Sequence, residues 1–463
     1  MKLWDMWFRI FLLLRPAFPR LRTFLWFCTA ACGFCIRTDL MGVTSFVRCM
    51  GLNPWAYDRL LDMFHCPGLN YRNIRKYWTE TVLKVCTSVL WKVNGHLVLL
   101  GDGVKISKSG KKMPGVKKLH QESESNTKPE YIFGHSLQAV SVVVKILGWL
   151  TAIPLGAEIH DGIVFSNRCR KTLLDRMLEL ILSLDLKTPA YYVLDAYYGA
   201  EKIITGARLQ NAYLVTRLRR NAVMYLPPVE QHSGRGRKRK YGEKVKIISL
   251  FDAKDGWHEI ECMLYGKMER CKVQSFKGFW RSAGCEVLYV LVQMECGGKV
   301  ILMSTDVNLS EIDIIQLYGA RFKIEVGFKT SIRIVGALSY HFWMSTMKPI
   351  GRKGKNQYMH RESEAYRNAV RRKIAAYHNF IQCGIIAHGL MTILSVLKPC
   401  ECWTHFDTWM RTMNLESHPS EWVVAQSLKN TFPQFLAVEA KNNNWLKFLI
   451  SIKKKNEAQD SAA

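Results

Sequence analysis

The sequence predicts an α/β protein in which a mixed sheet with crossover helices is interrupted by an antiparallel β stretch and flanked by helical regions. Three observations carry that prediction. Apolar runs of strand length alternate with an amphipathic helical pattern over 95–221, short strand-like runs separated by turns fill 222–300, and helix-period patterns dominate both ends. At 463 residues the chain exceeds the about 250–300 at which single hydrophobic cores stop growing. The patterns divide it into a helical N-terminal region (1–94), a first core part (95–221), a β-rich insertion (222–300), a second core part with a glutamate helix (301–345) and a helical C-terminal region with a tail (346–463).

The net charge of +28, with basic residues spread from Arg9 to Lys455, favours a long polyanion over a small acidic substrate. Nucleic acid leads, with a membrane surface as the rival. Residues 7–36 are apolar enough to mimic a membrane segment, but Arg9, Arg15, Arg20 and Arg22 interrupt them, and the uncharged run 23–36 is too short to span. Buried helices are expected there. Of the 14 cysteines, Cys28, Cys32 and Cys35, and Cys400 and Cys402 with His405, lack zinc-finger or ribbon spacing, so reduced core thiols in a cytoplasm are expected.

In chain order, 38–94 reads as all helical. MGVTSFVRCMGLNPWAYDRLLDMF outlines two short helices joined at 51–54, a pattern shared by the helix-turn-helix and by any helical hairpin. NYRNIRKYWTETVLKVC is a further helix, with Arg72, Arg75 and Lys76 a candidate phosphate-contacting edge. HLVLLGDG is an apolar strand ending at Asp102. The loop that leaves it carries Lys105, Lys108, Lys111, Lys112, Lys117 and Lys118, a candidate nucleic-acid backbone contact whose alternative is a solvated loop. LQAVSVVVKILGWLTAIPLGA reads as a hairpin turning near Leu147 and Gly148, and SNRCRKTLLDRMLELILSL as an amphipathic helix capped by Ser166. AYYVLDAYYG is a strand ending at Asp195, followed by a helix at 201–209 and the strand NAYLVTRLR.

Within 222–300, VKIISLF, GWHEIECMLYG, KVQSF and EVLYVLVQMEC read as strands before VILMSTD resumes the core. The loop HSGRGRKRKYGEK is the most cationic run. Its Arg235, Arg237, Lys238, Arg239 and Lys240 are DNA-backbone candidates, against a solvated tip. Trp257 and Trp280 either stack on an unpaired base or pack in the core. Residues 362–397 form a long helix after a basic loop, MKPIGRKGKNQYMHRE.

The chemistry centres on 309–336, read as one helix with Ser310 as N-cap and Asp313 three residues on. At helical spacing Tyr318, Arg321, Glu325 and Lys329 share a face; the alternative is a solvated face with a Glu325–Lys329 pair. Asp102 and Asp195 each end an apolar strand, where open α/β sheets place ligands, and three converging carboxylates suit Mg²⁺ or Mn²⁺. Asp306 also ends a strand and competes with Glu325 as the third ligand, although its TDVNLS context reads as a strand-to-helix turn.

Asp102, Asp195 and Glu325, with the spacing of Tyr318, Arg321 and Glu325, resemble the DDE transposases of bacterial insertion sequences. More narrowly, they resemble the group with a β-rich insertion between the second Asp and the Glu. The resemblance covers about 95–340 and rests on LLGDGVKI, YYVLDAYYGA, ILMSTDVNLS and IIQLYGARFKIEVGFK. It implies an RNase H-like core and an N-terminal part that binds DNA ends. It also implies that Asp102, Asp195 and Glu325 are catalytic ligands of two Mg²⁺ (or Mn²⁺) ions, with Tyr318, Arg321 and either Lys329 or Arg333 on DNA phosphates. The implied activity is cut-and-paste transposition on double-stranded DNA: cleavage at terminal inverted repeats and strand transfer into target DNA. The implied setting is a homodimer at the bacterial nucleoid, away from membrane. One departure stands out: the group's pattern has a Lys seven positions after the Glu, where this chain has Ile332. Two other readings share much of this pattern, a nuclease without strand transfer and a non-catalytic DNA-binding derivative.

Overall fold

The computed structural model describes residues 2–121, 129–228, 239–264, 267–409, 412–437 and 443–453. Five helices come first: α1 (Lys2–Leu12), α2 (Leu21–Ile36), α3 (Val43–Met50), α4 (Ala56–His65) and α5 (Tyr71–Val85). Then follow β1 (Lys92–Val93), β2 (His96–Ser107), β3 (Lys117–His120), β4 (Tyr131–Ile146), β5 (Trp149–Ile159), β6 (Ile163–Val164), α6 (Leu173–Leu182), β7 (Ala190–Leu194), α7 (Glu201–Arg208) and β8 (Tyr213–Arg217). The stretch read as an insertion holds β9 (Val223–Tyr225), β10 (Lys244–Lys246), β11 (His258–Leu264), β12 (Lys267–Trp280) and β13 (Cys285–Met294). After β14 (Lys299–Ser304) come α8 (Glu311–Ala320), α9 (Phe322–Thr330), β15 (Gln357–Tyr358), α10 (Glu364–Leu397), α11 (Pro399–Thr404), α12 (Glu421–Leu436) and α13 (Asn444–Ser451).

All strands but β6 and β15 join one 13-stranded sheet, in the order β10-β9-β12-β13-β14-β8-β7-β2-β4-β3, with β5 on β4, β11 on β12 and β1 on β2. Only β2 with β7 and β7 with β8 run parallel within it. The β4–β5 hairpin turns at Leu147 (φ 48°) and Gly148 (φ 83°), the paired left-handed backbone of a tight two-residue connection. The strands of 222–300 extend this same sheet beyond β14, so the two parts are continuous through the β13–β14 pairing.

Strand alternation sorts the two faces. On β2, Leu97 and Leu99 pack with one core while Val98 and Leu100 pack with the other; on β7, Tyr192 and Leu194 oppose Tyr191 and Val193 in the same way. The second face is covered by α8 and α9 through Ile314, Leu317 and Ile324. The first receives α6, α7 and α10. Helix α10 crosses β5, where Gln382 donates to the Leu155 carbonyl at 3.0 Å and His378 accepts from the Ile159 amide at 3.0 Å.

The terminal helices close around α10. Trp4 stacks on Phe435 at 5.3 Å and Trp7 on Trp445 at 5.1 Å, joining α1 to α12 and α13. Helix α2 is buried along nearly its whole length, as expected for the apolar 7–36 stretch. One described helix, α10, is long and apolar enough to cross a membrane, and 94% of its apolar window is buried inside the fold.

Several local expectations are corrected. VKIISLF is not a strand: β10 stops at Lys246 and a 3₁₀ turn, Ile247–Asp252, buries Ile247 and Phe251, whose spacing suits a helical turn. The region 38–94 is not wholly helical, because β1 pairs with β2. Helix α6 is capped by Thr172 and not by Ser166: Thr172 accepts from the Asp175 amide and Asp175 accepts from the Thr172 amide at 2.6 Å, a reciprocal capping box. Arg75 is no phosphate-contacting edge. It is fully buried and binds Glu158 Oε1 at 2.6 Å and Ser183 Oγ at 2.8 Å.

Two buried histidines set an acid limit on this packing. His135 bonds the Tyr340 hydroxyl through Nδ1 (2.7 Å) and the Pro114 carbonyl through Nε2 (2.9 Å), and burial, helped by the nearby Lys108 charge, pushes its pKa down from 6.5 to about 3. Burial likewise pushes His378 down to about 4, against the opposing pull of Glu158. Both rings are held neutral, so the stability they contribute is complete above their unfolded pKa of 6.5 and is lost as pH falls towards those values. Urea midpoints should therefore fall steadily below about pH 6.5, and His378→Asn, which keeps an acceptor for Ile159, should flatten that slope.

Candidate active site

The site begins with register. The parallel pairing of β2 and β7 ends at Gly101 opposite Leu194, so the next residues, Asp102 and Asp195, emerge side by side where the two strands part. Alternation places both on the face covered by α8 and α9, in step with Leu100 and Val193. Asp102 does not end its strand as expected: β2 continues to Ser107 on β4 alone. Asp195 leads into a 3₁₀ turn, Ala196–Tyr198, that carries the chain away from the sheet.

The helix over this face starts as expected, with Ser310 Oγ accepting from the Asp313 amide at 3.1 Å. It is not one uniform helix. At Arg321 the amide bonds back three residues to Tyr318, and Ile324 does the same to Arg321, a tightened turn between α8 and α9 in which Arg321 keeps helical angles (φ −52°, ψ −35°). Beyond Thr330 the backbone widens into a π turn, Ser331–Val335, that closes at Gly336 with φ 66°.

Arg321 joins the acids. Nη1 donates to Asp102 Oδ2 and Nη2 to Glu325 Oε1, both at 2.8 Å. The other Asp102 oxygen accepts from the Gly103 amide at 2.7 Å. Burial pushes the Asp102 carboxyl up to about 6, with Asp195 and Glu325 adding to the rise and Arg321 and the Gly103 amide opposing it. That balance puts all three carboxylates and one guanidinium within mutual electrostatic reach. Among the described residues no three His, Cys, Asp or Glu side chains are gathered closely enough to hold a metal ion as they stand.

Tyr318 lies beside this cluster, with the Arg321 guanidinium 5.8 Å from its ring centre. Lys329 and Arg333 are exposed further along the same helical stretch. Ile332 lines a cleft of about 520 Å³ with Lys108 and Arg352, so Arg352 offers a cation close to the slot where Lys was expected. Lys108 itself is turned inward, donating to the Leu338 and Tyr340 carbonyls, the latter at 3.2 Å. Lys111 and Lys112 sit in a loop stitched to the later basic loop: the Met344 and Ile350 amides each donate at 2.9 Å to the Lys112 and Lys111 carbonyls. Lys111, Lys348, Arg352, Lys353 and Lys355 are each exposed on these two joined loops.

Of the cationic run in the β-rich stretch, Arg235, Arg237 and Lys238 lie outside the described residues, while Arg239 and Lys240 are exposed, with Lys240 beside Gly284 in the β12–β13 turn. Trp280 reaches the site's edge against Gly199, just past the Asp195 turn; Trp257 packs beside Phe251 at 5.7 Å. Asp306 is committed elsewhere, accepting from the Tyr191 hydroxyl at 2.6 Å and the Asn308 amide at 3.0 Å.

Two residues near the acids escaped the sequence reading. Arg217 ends β8 level with Asp195, one residue past the Leu194–Thr216 pairing, and the end of this third parallel strand was the available signal. Tyr198 is buried beneath Asp102 and Asp195, its hydroxyl held by Gln138 Nε2 at 3.3 Å. Nothing in the local pattern distinguishes it from Tyr197.

Carboxylates gathered where adjoining parallel strands part are a donor set compatible with phosphodiester-cleaving chemistry. The family evidence agrees: a profile described as DDE superfamily endonuclease matches residues 50–277, taking in Asp102 and Asp195 and ending before Glu325. This supports a DDE transposase-like family and a nuclease-type function. No curated protein matches the chain.

The commitment of Asp306 to Tyr191 is testable. Tyr191→Phe should lower unfolding free energy by roughly 1.5–3 kcal/mol, the usual worth of a hydrogen bond to a charged group, and Asp306→Asn should leave metal-dependent DNA cleavage intact while also destabilising the fold. Denaturant titration and a cleavage assay on the two variants check this.

Proposed function

We propose that the chain is a DDE transposase, cutting DNA at the ends of an element and joining those ends to a target. The observation that carries this is the meeting of Asp102 and Asp195 at one strand edge beneath the Arg321–Glu325 turn, in a chain whose residues 50–277 match a DDE endonuclease profile. The order β5-β4-β2-β7-β8, an antiparallel hairpin beside parallel neighbours, supports reading that part of the sheet as an RNase H-like core, with β9–β13 as its β-rich insertion.

DDE superfamily nucleases generally use divalent cations, and the donor set here suits one. Carboxylate oxygens are the hard ligands Mg²⁺ and Mn²⁺ prefer, and Asp102 and Glu325 already converge on a single positive charge, the Arg321 guanidinium. Asp102, Asp195 and Glu325 would hold two such ions, which when bound would activate water or a 3′-OH and stabilise the leaving oxygen. The remaining tasks fall to this chain's side chains. Arg321 and Tyr318 would bind non-bridging phosphate oxygens, and Lys329, Arg333 and Arg217 would fix the backbone around the scissile bond. Tyr198 and Gln138 hold the floor beneath Asp102. The joined basic loops, with Lys111, Lys112 and Arg352, and the Arg239–Lys240 tip would track double-stranded DNA by charge alone, so affinity should fall steeply with salt. Pairing two element ends would call for a homodimer.

A hydrolytic nuclease would use the same acids, and the products tell the two apart. Wild type incubated with DNA from the flanks of its own locus should give Mg²⁺-dependent breaks at the inverted-repeat ends together with joined products. Asp195→Asn and Glu325→Ala should give neither, while still retarding the DNA. Cut but never joined products would favour the nuclease; binding without cleavage by wild type would mark a non-catalytic derivative.

A further inference from the structure

Arg321 is anchored on the two carboxylates that would have to receive a cation. It spans Asp102, on the central strand, and Glu325, one helical turn along its own element, with a bond of 2.8 Å to each. Its side chain is only 17% exposed, and its Nε is buried with no partner among the described residues. An unpaired buried N–H carries a desolvation cost, so the two charge-assisted bonds must outweigh it for the arginine to stay. With Arg321 absent, three neighbouring carboxylates would face one another unneutralised in a half-buried site, an arrangement that charge repulsion disfavours. A divalent ion that took Asp102 Oδ2 and Glu325 Oε1 would compete with the guanidinium for those oxygens and be repelled by its charge.

We propose that Arg321 is a positioning residue that acts as a built-in counter-cation. It holds Asp102 and Glu325 convergent while no divalent ion is bound, and it gives up those oxygens when an ion enters, which frees its guanidinium for a substrate phosphate. The inference rests on the reading of Asp102, Asp195 and Glu325 as the cation site. The backbone suits the exchange: Arg321 sits at the tightened turn between α8 and α9, and the Tyr318 ring, 5.8 Å away, offers the displaced guanidinium a face to rest on. The linkage runs both ways. Because an ion must break two bonds to Arg321, the arginine weakens ion binding, and the ion weakens the arginine's hold by the same factor.

The test uses the full chain without DNA and reads Mn²⁺ binding by calorimetry and melting temperature with and without chelator. Arg321→Ala should bind Mn²⁺ roughly tenfold more tightly than wild type, melt lower than wild type in chelator, and recover more on adding Mn²⁺. Arg321→Lys, which lacks the planar fork that sets one nitrogen on each acid, should fall between the two and carries the test if the alanine variant does not fold. Wild-type or weaker Mn²⁺ affinity in these variants overturns the inference while leaving the cation site standing. If wild type binds Mn²⁺ no better than Glu325→Gln, the cation-site reading itself is overturned, and this inference with it.

Discussion

Everything at the candidate site depends on one pairing, the parallel register of β2 against β7 that sets Gly101 opposite Leu194. Side chains in a strand alternate faces, so a slip of one residue in either strand would turn an aspartate towards α6 and α7, away from α8 and α9. The register is held by packing on both faces. Leu97, Leu99, Tyr192 and Leu194 fill one core, and Val98, Leu100, Tyr191 and Val193 fill the other, so a shift would misplace every one of them together. Gly101 tightens this further, since a Cβ there would lie 2.5 Å from Leu194 Cδ2. Precision at the acids is therefore a by-product of a sheet buried on both sides.

The helical layer adds the second constraint. Ile314, Leu317 and Ile324 seat α8 and α9 on the face that Asp102 and Asp195 share, and the tightened turn at Arg321 brings its guanidinium down between Asp102 and Glu325. Past Thr330 the helix loses its regular ladder and is tied to α10, where Ser331 Oγ meets His388 Nδ1 at 2.8 Å. The glutamate is thus fixed from both directions, by the sheet below and by the long buried helix beyond.

What the sequence made legible follows from how local each signal is. Apolar strand runs, the Leu147–Gly148 turn, the Ser310 cap and the long α10 pattern are short-range features, and each has its counterpart in the structure. The meeting of Asp102 with Asp195 follows the rule that ligand groups gather where parallel strands of α/β sheets end, although β2 itself runs on to Ser107. Features that depend on distant partners were not legible. Arg75 reads as a phosphate-contacting edge because nothing near it in sequence announces Glu158 and Ser183; Lys108 reads as a nucleic-acid backbone contact because its carbonyl partners, Leu338 and Tyr340, lie far down the chain. The bond of Arg321 to Asp102 again joins residues remote in sequence. Ser166 and VKIISLF failed more locally, to a stronger capping box at Thr172 and to a helical spacing of Ile247 and Phe251.

The closure of α1 on α12 and α13 bears on how the chain is made. Trp4 and Trp7 find their ring partners at Phe432, Phe435 and Trp445, contacts that span almost the whole described sequence. During vectorial synthesis these aromatic faces, and much of the apolar length of α2, leave the ribosome long before α10 and the last helices exist to cover them. The early helices must wait, uncovered, through the translation of the entire sheet. Contacts of such long sequence separation carry the largest loop-closure cost, so topology places them among the later ones to form.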